Sequence, residues 1–454
     1  MTVRSATFIW LCFVAAAAPE AAAQQMTGAT RHGELRSEAV PLSLDEAIQE
    51  GLRYNVGLFI SGKITDEARA TRLEQLSALL PRIDASLRES RQKTNLQALG
   101  ISFPLIPPTV TVSNFDARVS VSAPLLDLHA ASNARASAQA VTATEWTERN
   151  ARETVVLAIA SIYLQTVSAE AAVASAEADA MTAQALYELA RDRERSGVSP
   201  NIDTLRAQVE MQGRRQALTQ ARNTLDKQRI ALLRIVGLPL GQAISLTSRL
   251  SYKPLAGLGV DAAVARALAT RADYKAADAQ VHAAESSKQA AARQRAPTLV
   301  FNGDFGALGT EPANALATWM AAGLVRVPVF DGGRIHADVA RADAALEQRK
   351  AERDDLRIAI EQDVTNALLD ARTAADQVDL SMSTMELARQ TLTQAQDRFS
   401  AGVTNNIEVI QAQESLVTAN RQYIEALRAH NLAKLTLTRA MGSAEQTWKD
   451  VLAQ

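Results

Sequence analysis

The second half of this chain repeats the first. Segments recur in the same order and at nearly constant spacing: Leu44–Ile48 as Val260–Val264, Pro81 as Pro297, Pro124–Asp127 as Pro328–Asp331, and Gly197–Asp203 as Gly402–Glu408. A repeated unit folds into the same local structure each time it occurs. Besides a leader, the duplication predicts an N-terminal linker at 24–41, a first repeat at 42–250, an inter-repeat linker at 251–257, a second repeat at 258–442 and a C-terminal tail at 443–454.

Each repeat changes its period after a proline. Downstream of Pro81 apolar residues alternate with polar ones, which is typical of a strand with one apolar face. The clearest apolar positions are Phe115, Ala117, Val119, Val121 and Ala123. The second repeat has counterparts at Thr298–Phe305 and Trp319–Val329. Each repeat is therefore predicted to hold two strands of about 9–11 residues, enough to cross a membrane. We expect Pro124 and Pro328 to end their strands, because proline has no N–H to donate.

Long stretches without proline follow the strands. The residues between Asp127 and Gly197, and again between Asp331 and Gly402, are rich in Ala, Glu, Arg, Gln and Leu. These residues favour helix, and a continuous helix over either stretch would reach roughly 100 Å at about 1.5 Å per residue. The two aspartates are expected to cap these helices, because a carboxylate accepts hydrogen bonds from the first-turn N–H groups.

Residues 1–23 have the pattern of a cleaved export signal. A basic start precedes a short apolar run at Phe8–Ala18, and Ala21–Ala23 offers a cleavage site. Cys12 is the only cysteine of the chain, so the exported protein is predicted to have no disulfide. Lipid attachment at Cys12 is the alternative, but Leu11 stands where lipid-attachment sequences have a small residue.

Charge and hydropathy limit the partners. The chain has 48 basic and 50 acidic residues, a net charge of −2, so no basic excess attracts nucleic acid. Beyond the leader we expect no apolar run of the roughly 20 residues that a membrane helix needs. A membrane location would then depend on the strands, which suit a barrel with lipid outside and water inside. Because the smallest barrels need about eight strands, several chains would have to share one.

The order and spacing of these features resemble the TolC-like outer membrane efflux protein family. The resemblance is carried by Pro124–Asp127, by Pro328–Arg334 and by the two turns that begin at Gly197 and Gly402, and it covers about Leu42 to Gly442. It implies a mainly α protein with a transmembrane β-barrel, in which three copies each give four strands to a shared 12-stranded barrel and long helices to a periplasmic α-helical barrel. The implied function is the outer-membrane exit duct of a tripartite efflux or type I secretion system, with a periplasmic adaptor and an inner-membrane pump as partners.

The resemblance also implies two sets of site residues. The expected adaptor-docking tips are Gly197, Val198, Ser199, Gly402, Val403 and Thr404. Asp203 and Glu408 are expected to line the periplasmic entrance as a ring. The chain departs from the family pattern at Gln411, where a second carboxylate is usual, and at Phe399 and Thr404, where a tyrosine and an arginine would latch the mouth. A local interpretation stays open: the glycines end helices, and the carboxylates stabilise the first turns of their own helices.

Other functions fit the sequence less well. A periplasmic coiled-coil adaptor or scaffold would share the leader and the long helices, but it would not need pairs of amphipathic strands. A solute-binding or enzymatic periplasmic protein would be compact. The sequence contains no nucleophile elbow, phosphate loop or HExxH motif, and its five histidines are scattered. We therefore expect no catalytic residue, no metal site and no cofactor.

Overall fold

The computed structural model describes residues 28–29, 37–100, 107–254, 257–404 and 406–452. The predicted export signal, Cys12 and part of the predicted N-terminal linker lie outside these residues. The chain divides into two compact units, and each draws on both predicted repeats. The strand unit comprises Lys63–Thr147 and Ala272–Ile358. The helical unit comprises the described residues of Met1–Gly62, Glu148–Arg271 and Ala359–Gln454.

The elements occur in the same order in both halves of the chain. They are β1 (Val40–Leu42), α1 (Leu44–Tyr54), α2 (Val56–Ser77), β2 (Arg82–Asn95), β3 (Thr109–Leu126), α3 (Leu128–Arg195), α4 (Asn201–Val236), β4 (Ile244–Leu246), α5 (Val260–Thr270), α6 (Ala272–Arg293), β5 (Thr298–Gly309), β6 (Leu316–Arg326), α7 (Arg334–Ser400), α8 (Asn406–Ala440) and α9 (Ala444–Val451). Short 3-10 turns lie at Gln97–Leu99 and Pro312–Asn314. The two long helices have 68 and 67 residues, as the proline-free stretches predicted.

A four-stranded antiparallel sheet in the order β2-β3-β5-β6 forms the strand unit's centre. The register places Ala85, Val119, Phe305 and Trp319 in one row across the four strands. Because side chains alternate along a strand, that row lies on one apolar face. The opposite face is polar in its middle, where Arg118 forms ion pairs with carboxylates of β3 and β5 at 2.7 and 2.9 Å. Among the described residues, β2 and β6 each pair with a neighbour on one side only.

Two strand limits differ from the prediction. Pro124 does not end its strand, because β3 continues to Leu126, which pairs with Leu299. The register shifts between Pro124 and Leu126, and a bulge of this kind accommodates a residue that cannot donate. In the second repeat β6 ends at Arg326 rather than Val329, because its partner β5 begins opposite Arg326 and offers nothing further to pair with.

The predicted helix caps are confirmed. The Asp127 carboxylate accepts a hydrogen bond of 2.8 Å from the N–H of Ala130. The Asp331 carboxylate accepts from the N–H groups of Ile335 at 2.6 Å and Gly333 at 3.1 Å. These backbone donors, Ile335 first, lower the pKa of Asp331. Each long helix therefore begins at a carboxylate that satisfies first-turn donors.

The helical unit has its core around the middle of α3. Val155, Ile159 and Tyr163 are fully buried in one apolar cluster with Leu232 and Ile235 of α4. Contrary to the expectation from the sequence, α3 is long and apolar enough, by length and composition, to cross a membrane. Val155, Ile159 and Tyr163 of this helix are buried in the core, and a core helix has an apolar face whether or not a membrane is present.

Side chains of α8 hold the segment between the repeats. His430 and Lys434 each donate a hydrogen bond of 3.1 Å to the carbonyl of Lys253. Asn431 donates to the carbonyl of Ser251 at 3.1 Å. Burial lowers the pKa of Lys434 to about 8. The described part of the inter-repeat segment is therefore fastened to α8 by side-chain donors.

Candidate functional site

Two turns in the helical unit reverse the chain between long helices. Gly197 joins α3 to α4 with φ 70°, and Gly402 joins α7 to α8 with φ 74°. After each glycine, the N–H of the valine reaches back to a carbonyl five residues earlier, from Val198 to Arg193 at 2.9 Å and from Val403 to Arg398 at 3.0 Å. Left-handed glycine followed by such a bond is the usual end of a helix. The local interpretation of the glycines is therefore correct, whatever else the turns do.

The valines beside these glycines are strongly exposed. Val198 is 73% exposed and Val403 is 70% exposed. Among the described residues, no atom other than those of its chain neighbours lies within 4 Å of a Cβ built on either glycine, so the space beside both glycines is open. The Ser199 hydroxyl oxygen is buried and has no hydrogen-bond partner among the described residues. Reversal of the chain requires the glycines. It does not explain why an apolar side chain, Val198 or Val403, is exposed to water at each turn.

Arg193 connects the two turns. Its guanidinium donates hydrogen bonds to the carbonyls of Phe399 at 3.0 Å and Ser400 at 3.1 Å. The same group lies 4.4 Å from the centroid of the Phe399 ring, within the range of a cation–π contact. Phe399 is buried in a small apolar cluster with Leu392 and Val409. The phenylalanine at this position, which departs from the family pattern, thus serves as a platform for an arginine of the other turn.

The two predicted entrance carboxylates lie in the first turns of α4 and α8. Asp203 is largely buried, with Arg206 at 3.6 Å. Glu408 is more exposed, accepts a hydrogen bond of 2.5 Å from the Thr404 hydroxyl and lies 3.4 Å from Arg398. Each carboxylate is thus held by neighbours from its own turn. Across the part of the chain that the structure describes, no three His, Cys, Asp or Glu side chains are placed to hold a metal ion.

The connection through Arg193 generates a prediction. Arg193→Gln removes a charged donor of two hydrogen bonds, each worth about 1.5–3 kcal/mol. Hydrogen exchange of the Phe399–Gly402 amides, followed by mass spectrometry on the detergent-solubilised protein, is expected to quicken about tenfold or more. Arg195→Gln, an exposed neighbour on the same helix, is the matched control and should leave these amides unchanged. Equal exchange in the two variants would show that Arg193 does not hold the turns together.

Known proteins resemble the chain over most of its length. A family model described as outer membrane efflux protein matches residues 65–238 and 263–443. The pyoverdine export outer membrane protein OpmQ of Pseudomonas putida is 25% identical over 89% of this chain and 86% of its own length. The toluene efflux pump outer membrane protein TtgC of Pseudomonas putida is 23% identical over 89% of this chain and 84% of its own length.

A solved structure shares the fold. The CmeC outer membrane channel of Campylobacter jejuni superposes with a TM-score of 0.77, at 16% identity, over 98% of this chain and 94% of that one. At this level of identity the likeness establishes the fold, a four-stranded sheet together with long helices, and leaves the roles of single residues open.

Proposed function

The chain belongs to the outer membrane efflux protein family, and we propose that three copies of it form the passive exit duct of a tripartite efflux or type I secretion system. As a member of that family it resides in the outer membrane, with its long helices in the periplasm. The observation that carries the proposal is the open, amphipathic sheet, which has four strands, one apolar face and two edge strands that, within the described ranges, pair on one side only.

The edges argue for a barrel shared between copies. An unpaired backbone N–H or C=O costs several kcal/mol in lipid, and a sheet escapes this cost only by closing. Four strands are too few, because the smallest barrels have about eight. Three copies would supply twelve, and their polar faces would surround a water-filled channel while their apolar faces met lipid.

The alternative of a periplasmic coiled-coil adaptor or scaffold fits the sheet poorly. Ile83, Leu87, Phe305 and Trp319 are all exposed on the apolar face, and a protein in water would cover or replace such a surface. A lipid environment makes the same surface favourable. No catalytic residue is assigned, because transport through a duct needs a lined passage and no chemical step.

The choice of substrate would lie with the pump. Two relatives of nearly equal similarity are named for the export of different compounds, pyoverdine and toluene. The channel architecture is therefore compatible with unlike substrates. An inner-membrane pump that selects the compound, joined to the duct by a periplasmic adaptor, accounts for that breadth, and the names of both relatives favour efflux over protein secretion.

We assign docking of the adaptor to the two tips, Gly197–Ser199 and Gly402–Thr404. Support comes from the apolar valine that each turn exposes to water and from Arg193, which links the two turns by hydrogen bonds. The proposal keeps the predicted domain limits, with repeats at 42–250 and 258–442. Each repeat contains one helical hairpin, and the turn of that hairpin is a tip.

The tip assignment predicts the effect of a charge. Val198→Asp combined with Val403→Asp leaves the glycine backbone free and buries two unpaired carboxylates at the contact, which costs about 2–5 kcal/mol. We expect normal amounts in the outer membrane and normal conductance in planar bilayers, but loss of efflux and of cross-linking to the adaptor. The double threonine variant, equal in size and uncharged, should keep most efflux. Full efflux by the aspartate variant would show that both turns only reverse the chain and do not bind the adaptor.

We assign the periplasmic entrance to Asp203 and Glu408. A threefold axis would bring six carboxylates to one mouth. Arg206 and Arg398, which lie beside the carboxylates, would partly neutralise their negative charge. Rings of carboxylates favour cations. The absence of a carboxylate at Gln411 makes the ring smaller than the family pattern implies.

The entrance assignment predicts a change in selectivity. Asp203→Asn with Glu408→Gln is expected to lower the ratio of cation to anion permeability and to weaken block by multivalent cations, measured in planar bilayers at low salt. Glu386→Gln, which removes one exposed carboxylate on α7, is the control for a charge lost away from the proposed entrance. If both proteins keep the selectivity of the unmodified chain, the two carboxylates only stabilise their helices.

A further inference from the structure

The duplication of the sequence is preserved in the pairing of the strands. β5 repeats β2 with an offset of 216 residues, as Pro81 and Pro297 show, and β6 repeats β3 with an offset of 204, as Pro124 and Pro328 show. Ile83 pairs with Val121 in the first repeat. The residues at those offsets, Leu299 and Val325, pair in the second repeat. The same correspondence holds for Ala85 with Val119 and for Phe301 with Gly323.

A different pairing joins the two repeats inside the chain. β3 of the first repeat pairs with β5 of the second, with Val121 opposite Gly303 and, beyond the bulge, Leu126 opposite Leu299. The outer strands β6 and β2 are the repeat equivalents of β3 and β5. They are also the two edges of the sheet.

We propose that β6 of one copy pairs with β2 of a second copy in the register that β3 and β5 have within the chain. Applying the two offsets places Val325 opposite Leu87 of the neighbouring copy. Beyond the bulge position it places Phe330 opposite Ile83 of the neighbouring copy. The inference rests on the homotrimer proposed above and adds which strands of two copies meet and in what alignment.

The faces of the strands agree with this register. Leu87 pairs with Ala117 on the apolar face, and Val325 pairs with Leu299 on the same face. Aligning the two strands this way continues the apolar surface from one copy to the next. A shift of one residue would turn all of β2 to the opposite face and set Val325 beside Ser86 or Arg88.

The register also accounts for an exposed segment. Val327–Phe330 repeats Ala123–Leu126, which is strand in the first half because β5 pairs with it. In the second half the segment lies beyond the end of β6, and Phe330 is 91% exposed. The proposed partner, Ile83, is 69% exposed. Pairing between copies would extend β6 through this segment and cover both side chains.

Disulfide trapping in a Cys12→Ala background tests the alignment, because no other cysteine is present. The test pair is Val325→Cys with Leu87→Cys. Within one chain β3 and β5 lie between these strands, so the two Cα atoms are at least three strand spacings apart, no less than about 14 Å. A disulfide needs about 4.4–6.8 Å, which directly opposed strand residues provide. A bond can therefore form only between copies.

Oxidation in outer-membrane vesicles is expected to give covalent dimers and trimers from this pair on non-reducing gels. Phe330→Cys with Ile83→Cys should do the same, and it guards against misfolding of the first variant. The matched control, Val325→Cys with Glu89→Cys, lies on the same face two residues out of register and should stay monomeric on these gels.

The outcomes separate the register from the duct. A bond in the control pair, or no bond in either test pair while glutaraldehyde still fixes trimers, would overturn the register and leave the proposed duct standing. No bond in any pair, with only single chains after glutaraldehyde, would contradict the homotrimer and the register together.

Discussion

Backbone hydrogen bonding at the edges of the sheet is the constraint on which the rest of the structure depends. A strand in lipid has no water to satisfy its N–H and C=O groups, and this chain carries two strands that pair on one side only among its described residues. The apolar face that suits these strands to lipid makes them unsuited to water. Fold, location and assembly are linked through this one requirement.

The long helices depend on residues at their ends rather than on pairing with another strand. α3 and α7 begin at aspartates that satisfy first-turn donors and end at glycines that permit the chain to turn back. Val155, Ile159 and Tyr163 on the apolar face of α3 are buried in the core of the helical unit, so these side chains are covered without a membrane. Duplication supplies the same device twice, so one chain provides two hairpins, two strand pairs and two exposed tips.

Local chemistry explains which features were predictable from the sequence. Four kinds of feature depend on residues close together in the sequence, and all were predicted. They are the alternation of apolar and polar residues in strands, the proline-free helices, the capping aspartates and the turn glycines. Pro124 was misjudged as a strand end because a bulge, set by pairing with a strand far along the chain, accommodates it. Arg193 was missed because its partners Phe399 and Ser400 lie more than 200 residues away. Nothing in the sequence separates it from Arg191 and Arg195 beside it.

The number of chains in one particle tests the account most directly. Native mass spectrometry of the full-length protein, extracted from outer membranes in mild detergent, measures that number without any substitution. The requirement for a closed barrel predicts a dominant particle of three chains. A stable single chain as the dominant species, still extracted from the membrane, would contradict it, because four strands would then persist in lipid with both edges unpaired.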